Sequence, residues 1–251
     1  KNSAGVSGLS AADAGQLLSP PTNLLASGGD FTDRIRLSWA DSVGANAYEV
    51  WRSLDGTTSS AASVTTSVTT NTYDYGSVNV TNRQFFWIKA KNSSGSSVYS
   101  TGTSGFVRIS APTGVSASDG TSDYAVRVSW NSVQGATSYG LWRGTTDLYA
   151  AAMQITSGVS TNSFDDFTSS AAITYFYWVA ASNELSVSSI SSSNSGYWLS
   201  PPTAIEASDG TFTDRIAVTW SLPMGISSVE VWRATTSNLN SAARIAHNVA
   251  S

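Results

Sequence analysis

The stretch APTGVSASDGTSDYAVRVSWNSVQGATSYGLWRG (Ala111–Gly144) decides the fold. Its VRVSW segment alternates apolar and polar residues with period two, the mark of a half-buried β-strand. The SDGT ahead of it carries the Asp-Gly of a tight turn. The stretch also recurs. RIRLSW, AVRVSW and RIAVTW place Trp39, Trp130 and Trp220 at steps of 91 and 90 residues. YEVWRS (Tyr48–Ser53), YGLWRG (Tyr139–Gly144) and VEVWRA (Val229–Ala234) keep the same steps. So do SPPT, SAPT and SPPT at Ser19, Ser110 and Ser200, with Pro21, Pro112 and Pro202 each 18 residues ahead of its Trp. Three landmarks in phase over three copies define a tandem array with a unit of about 90 residues.

Within a unit the pattern is β throughout. QFFWIKAKN (Gln84–Asn92) also alternates, no segment sustains a 3.6-residue period, and SGGD, SDGT, LDGT and NSSG punctuate the runs. Seven short strands in such a unit, each half apolar, describe a two-sheet sandwich. Ala111–Gly144 and TYFYWVAASN (Thr174–Asn183) resemble the fibronectin type III family, in the form common in bacterial extracellular proteins. The resemblance implies strand A at Pro112–Ala117, strand B at Ala125–Trp130 with its Trp in the inter-sheet core, and strand C at Ser138–Arg143. It further implies strand E at Ser163–Asp166, strand F at Tyr175–Ala181 and the end of strand G at Ser195–Ser200. Tyr175 matches the tyrosine with which the family opens strand F, bonding back across the sandwich corner; repeat 1 has Gln84 there. Repeat 3 departs at strand C, with Val229 in place of Tyr48 and Tyr139. The expected fold class is all-β, tandem immunoglobulin-like sandwiches in a rod-like array.

Repeat 1 is expected over residues 20–110 and repeat 2 over 111–199. KNSAGVSGLSAADAGQLLSPP (Lys1–Pro21) aligns with KNSSGSSVYSTGTSGFVRISAP (Lys91–Pro112), so residues 1–19 read as the end of strand F and strand G of a preceding repeat. Residues 200–251 read as strands A to C of a third. Trp220, Ile216, Val218 and Val231 there require a second sheet, since a core aromatic without partners forfeits about 3–5 kcal/mol. No counterpart of Asn71–Ala90 is present at either end, so the chain reads as a window on a longer array rather than as two ends that complete each other.

Composition excludes several function classes. Apolar residues make up 41% and charged residues 12%, with nine Trp, ten Tyr and eight Phe, which is far too much burial for a disordered chain. A net charge of −4 argues against nucleic acid, whose binders present basic stripes. No apolar run approaches the roughly 20 residues of a membrane span. The absence of Cys suits a bacterial surface protein and removes disulfide and thiolate chemistry.

Catalytic constellations are poorly supplied, and no cofactor is implied. His247 is the only histidine, four residues from the end, so neither a Ser-His-Asp arrangement nor a transition-metal site has its parts. Asp165 and Asp166 are adjacent on an expected strand, which sends their side chains to opposite faces. Asp30 and Asp33, Asp119 and Asp123, and Asp209 and Asp214 drift in spacing, unlike a calcium loop, and read as turn residues with a positive-φ glycine. Asn79-Val80-Thr81 and Asn92-Ser93-Ser94 match the glycan acceptor pattern, as expected by accident in so Ser- and Thr-rich a chain, and no Arg-Gly-Asp is present.

The aromatics carry more. With Tyr48 and Val50 facing the core, period two turns Glu49 and Trp51 outward; with Phe86, Ile88 and Ala90 inward, Phe85, Trp87 and Lys89 face out. Strands C and F are neighbours in the fibronectin type III fold, so Trp51, Phe85 and Trp87, and likewise Trp142, Phe176 and Trp178, are expected to share one exposed sheet face. Such clusters usually contact something. Three explanations compete: Arg52, Arg143 or nearby loops cover the rings by stacking; the face packs against another domain or subunit; or it stacks on sugars. Short, proline-stiffened joints between repeats restrict the angle between domains. Together these features point to a non-enzymatic, extracellular structural or adhesive segment of a surface fibre, stalk or adhesin. Its partners would be neighbouring repeats, further copies of itself or a polysaccharide. The alternative is a spacer or carbohydrate-binding array within a larger secreted polysaccharide-degrading enzyme.

Overall fold

Alternation along the chain becomes alternation in burial. In Ile35–Ala40 the side chains of Ile35, Leu37 and Trp39 are buried while Arg36 is exposed. The computed structural model describes residues 3–6, 18–76, 78–223 and 225–250. It divides the chain into two units, Lys1–Arg108 and Ile109–Ser251. The strand F and G remnant expected in residues 1–19 falls mostly on residues 1, 2 and 7–17, outside the described ones.

Unit 1 contains β1 (Thr22–Ala26), β2 (Ile35–Ala40), β3 (Ala47–Ser53), β4 (Ala62–Val68), β5 (Thr72–Tyr75), β6 (Gln84–Asn92), β7 (Gly95–Ser96) and β8 (Thr103–Gly105). They form two antiparallel sheets, β1-β2-β5 and β4-β3-β6-β7, with β8 also on β6. The core between the sheets holds Ile35, Leu37, Trp39, Tyr48, Val50, Phe86, Ile88 and Ala90. Trp39 meets Tyr48 edge to face, ring centroids 5.4 Å apart.

Unit 2 repeats the plan with β9 (Ser116–Ala117), β10 (Val126–Ser129), β11 (Ser138–Gly144), β12 (Met153–Val159), β13 (Ser163–Asp166), β14 (Tyr175–Ser182) and β15 (Asn194–Gly196). Its sheets are β9-β10-β13 and β12-β11-β14-β15, and Trp130 meets Tyr139 at 5.2 Å. Beyond them, β16 (Thr203–Ala207) pairs with β17 (Val218–Ser221), and β18 (Val229–Arg233) pairs with β19 (Ala243–Val249). Trp220, expected in a core, is only half-buried, because among the described residues just these two strand pairs surround it and Val229 replaces the tyrosine it would meet.

The strand expected over Pro112–Ala117 shrinks to two residues. Gly114, two positions after Pro112, has φ +64°, and Asn23 and Ala204 occupy the same position at +54° and +49°. Asn23 and Ala204 each lie where a register shift breaks the ladder into a bulge. A Cβ on Gly114 would come within 2.6 Å of Asn131 Nδ2, and at the position of Asn131 the other two repeats carry the smaller Ala40 and Ser221.

Strand β6 is finished by serines rather than by a continuous partner. Ser97 and Ser100 each accept a β6 N–H with the side chain, from Ala90 and Ile88 at 3.0 Å, and return a backbone N–H to the same residue's carbonyl. Ser188 and Ser191 do the same for Ala181 and Val179 of β14.

The corner beside the start of β14 differs between the units. Tyr175 Oη accepts from Ser170 N at 3.4 Å, the back-bond its family position implies. Beside it, buried Asp166 accepts from Arg143 (2.6 Å), Tyr177 Oη (3.0 Å) and Thr168 N and Oγ1 (3.0 and 2.7 Å). Burial works against its ionisation, but the hydrogen bonds from Thr168 and Arg143 and the arginine's charge outweigh this and hold the carboxyl below its ordinary range. Burial and the Asp166 charge push the Tyr177 phenol above its ordinary value. Unit 1 fills the same positions with Tyr75 and Phe86, packed edge to face at 5.4 Å, under Arg52. In place of the corner tyrosine, Gln84 is 2% exposed, and its Oε1 has no partner among the described residues.

Asp166→Ala strands Arg143 in a largely buried site and is expected to cost unit 2 about 3–5 kcal/mol, read as a shift of its chemical-denaturation midpoint with the unit 1 transition unchanged. Because the native pKa is depressed, the wild-type contribution is complete above the ordinary Asp value of about 3.9 and fades as pH falls through the native one. The difference between wild type and variant therefore narrows in acid.

Candidate functional site

The two halves of the aromatic face come together as their period requires. Trp51 of β3 lies opposite Trp87 of β6, and Trp142 of β11 opposite Trp178 of β14. Exposure is the point that fails. Trp87 is 7% exposed and Trp178 4%, while Trp51, Phe85, Trp142 and Phe176 are half-buried. The reason is a tyrosine roof within each unit. Tyr99, within the segment held by Ser97 and Ser100, sits edge-on to Trp51 (5.5 Å) and Trp87 (6.5 Å). In unit 2 the roof comes from the opposite side: Tyr149, on the β11–β12 connection, meets Trp142 (5.9 Å) and Trp178 (6.0 Å). The equivalents of the two tyrosines in the other unit are Ile190 and Thr58, so neither roof follows from the repeat.

Arg52 and Arg143 do not cover these rings. They lie over Tyr75 (5.7 Å) and Tyr175 (4.6 Å). Lys89 instead rests over Tyr99 and Trp51, 5.1 and 5.8 Å from the ring centroids. Glu49 completes the unit 1 face, accepting from Trp51 Nε1 (3.1 Å) and Ser96 Oγ (2.8 Å) with Lys91 Nζ at 3.8 Å. Burial alone would raise its pKa; the Ser96 and Trp51 hydrogen bonds and the charges of Lys89 and Lys91 prevail and lower it. Glu230 and Trp232 repeat the carboxylate–indole bond at 3.2 Å. Unit 2 has Gly140 at that position, and the Trp142 ring folds toward it.

Unit 1 also has a hollow of about 320 Å³ lined by Gly56, Phe85, Trp87, Gly102, Thr103 and Ser104. The glycines hold it open: a Cβ on Gly102 would lie 2.5 Å from Trp87 Nε1, and one on Gly56 3.2 Å from the Phe85 ring. The equivalents in unit 2, Asp147 and Ser193, hydrogen-bond to each other at 2.6 Å.

The remaining candidates are placed as turns and surface. Asp165 points outward to Arg127 (3.1 Å) while Asp166 points inward. Gly120 and Gly210 take positive φ, Asp30 accepts from Gly28 N, and Asn79 accepts from Thr81 N as a turn residue. His247 is exposed on β19. Among the described residues there is no group of three or more His, Cys, Asp or Glu that could hold a metal ion. No helix there is long and apolar enough to cross a membrane. Alternation could not reveal one further pair: Tyr124 and Phe167, on two connections, stack with planes 8° apart and remain 61% and 66% exposed.

No family model matches the chain, and no curated protein matches it. Among solved structures it is similar to a segment of two fibronectin type III domains from chicken tenascin. The TM-score is 0.53 at 16% identity, over 70% of this chain and 98% of that one. It is also similar to a Fn3-like protein from Clostridium thermocellum, with TM-score 0.33 and 23% identity over 36% of this chain and 93% of that one. The tenascin likeness is one of fold: the chain carries tandem fibronectin type III sandwiches.

Tyr99→Ala is expected to open the unit 1 roof and Tyr149→Ala that of unit 2. Each should cost its own unit about 1–3 kcal/mol and red-shift tryptophan emission. Blue-shifted or unchanged emission in both variants would contradict the roof.

Proposed function

We propose that this tandem of fibronectin type III folds is a non-enzymatic, extracellular structural or adhesive segment, a spacer that sets distance along a surface fibre, stalk or adhesin. The observation that carries the reading is how each unit secures its own end of a connection. Unit 1 ends on Arg108, whose N–H donates to Phe31 O at 2.8 Å. Unit 2 begins at Ile109, fully buried, with its N–H on Ser186 Oγ at 3.2 Å. Further along, Tyr197 pairs with Asp119 in a parallel bridge and Trp198 Nε1 donates to Ser169 O (3.2 Å) and Oγ (3.1 Å), just ahead of Pro201-Pro202. The residues on either side of each joint are thus held by their own unit, and prolines stiffen the chain beside them, which is what a spacer needs.

The hollow beside Phe85 favours a second reading, a carbohydrate-binding array within a larger secreted polysaccharide-degrading enzyme. Negative-stain electron microscopy of the purified protein is expected to show straight beaded strings or side-by-side filaments. Sharply bent particles with variable angles between beads would contradict a spacer.

A further inference from the structure

Among the differences between the outer faces of unit 1 and unit 2, one is an opening. Phe85, Trp87 and Ser104 have the counterparts Phe176, Trp178 and Ser195, so the floor is common to both. Unit 2 covers it with the Asp147–Ser193 hydrogen bond, and unit 1 has glycine at both covering positions. What remains is a hollow of about 320 Å³, at the lower end of the roughly 300–1,000 Å³ of small-ligand sites.

We infer that this hollow is a subsite for one ring of a neutral polysaccharide. Its floor is a half-buried phenyl ring, Phe85, beside the edge of the Trp87 indole. Its rim carries the hydroxyls of Thr103 and Ser104, and none of its lining residues is ionisable. A pyranose has the complementary surface, an apolar C–H face with hydroxyls around its periphery, and aromatic surface with a few placed polar groups is what such ligands require. The two nearby charges are opposite in sign. Arg83 lies over Phe106 at 4.8 Å and donates to Ser104 Oγ at 3.4 Å, and Asp55 accepts from Thr57 N and from Ser60. An uncharged sugar therefore fits better than a uronic acid. The inference concerns unit 1 alone and does not rest on the spacer role.

The test is an NMR titration of the full chain with cellohexaose, xylohexaose, mannohexaose and chitohexaose, and with a hexamer of galacturonic acid. At least one neutral oligosaccharide is expected to shift the Trp87 indole N–H and the Phe85, Thr103 and Ser104 amides saturably, with a Kd of about 1 mM or tighter. Gly56→Asp/Gly102→Ser, which puts the side chains of unit 2 at the two glycines although Gly56 has φ +78°, should weaken binding at least about tenfold. Phe85→Leu should weaken it too while keeping the site apolar, and decides the matter if the double variant does not fold. Failure of all four neutral hexamers to saturate, wild-type affinity in the folded double variant or in Phe85→Leu, or tighter binding of the galacturonate would each overturn the inference.

Discussion

Everything in each sandwich is set by one contact between its sheets, the indole of Trp39 against Tyr48 and of Trp130 against Tyr139. That contact fixes which residues of β2 and β10 face inward, and through the two-residue period it fixes every other position on those strands. It is strong enough to override an obvious cost. Neither Trp39 Nε1 nor Trp130 Nε1 has a hydrogen-bond partner among the described residues. An unmade buried hydrogen bond costs about 1–3 kcal/mol, against about 3–5 for losing a packed core Trp. Packing wins in both units.

Around this fixed centre, the units solve the same local problem with different chemistry. Unit 2 places a carboxylate, a phenol and a guanidinium together and satisfies all three; unit 1 replaces the first two with Tyr75 and Phe86 and fills the space with ring contacts. The exchange is coupled, since Asp166 without Tyr177 would lose a donor and Tyr177 without Asp166 an acceptor. The price of the apolar version is local: Arg52 Nε is buried with no partner among the described residues.

How much of this the sequence reveals depends on the range of the interaction. Repeat length, sheet assignment and the facing of Trp51 and Trp87 follow from periodicity, which is local. The burial of Trp87 does not, because its cover comes from Tyr99, and unit 2 takes its cover from a different connection. Nothing in a strand pattern says which loop folds over a face. Gly114 likewise reads as an ordinary turn residue, whereas it takes the positive φ that Asn23 and Ala204 also take at the same position of their repeats. The hollow beside Phe85 is less legible still, since it depends on two glycines 46 residues apart.

The paired serines beside β6 and β14 have a further consequence. Serines at i and i+3 take up the strand's free N–H and C=O groups at two alternate residues, so the two residues between them carry none of the ladder's hydrogen bonds with β6 or β14. In unit 1 one of these is Val98, pointing into solvent, and the other is the roofing Tyr99; in unit 2 they are Ser189 and Ile190. The sandwich thus has a mounting point at which a side chain can be exchanged without breaking a ladder hydrogen bond, and an aromatic cap is one of the fittings it accepts.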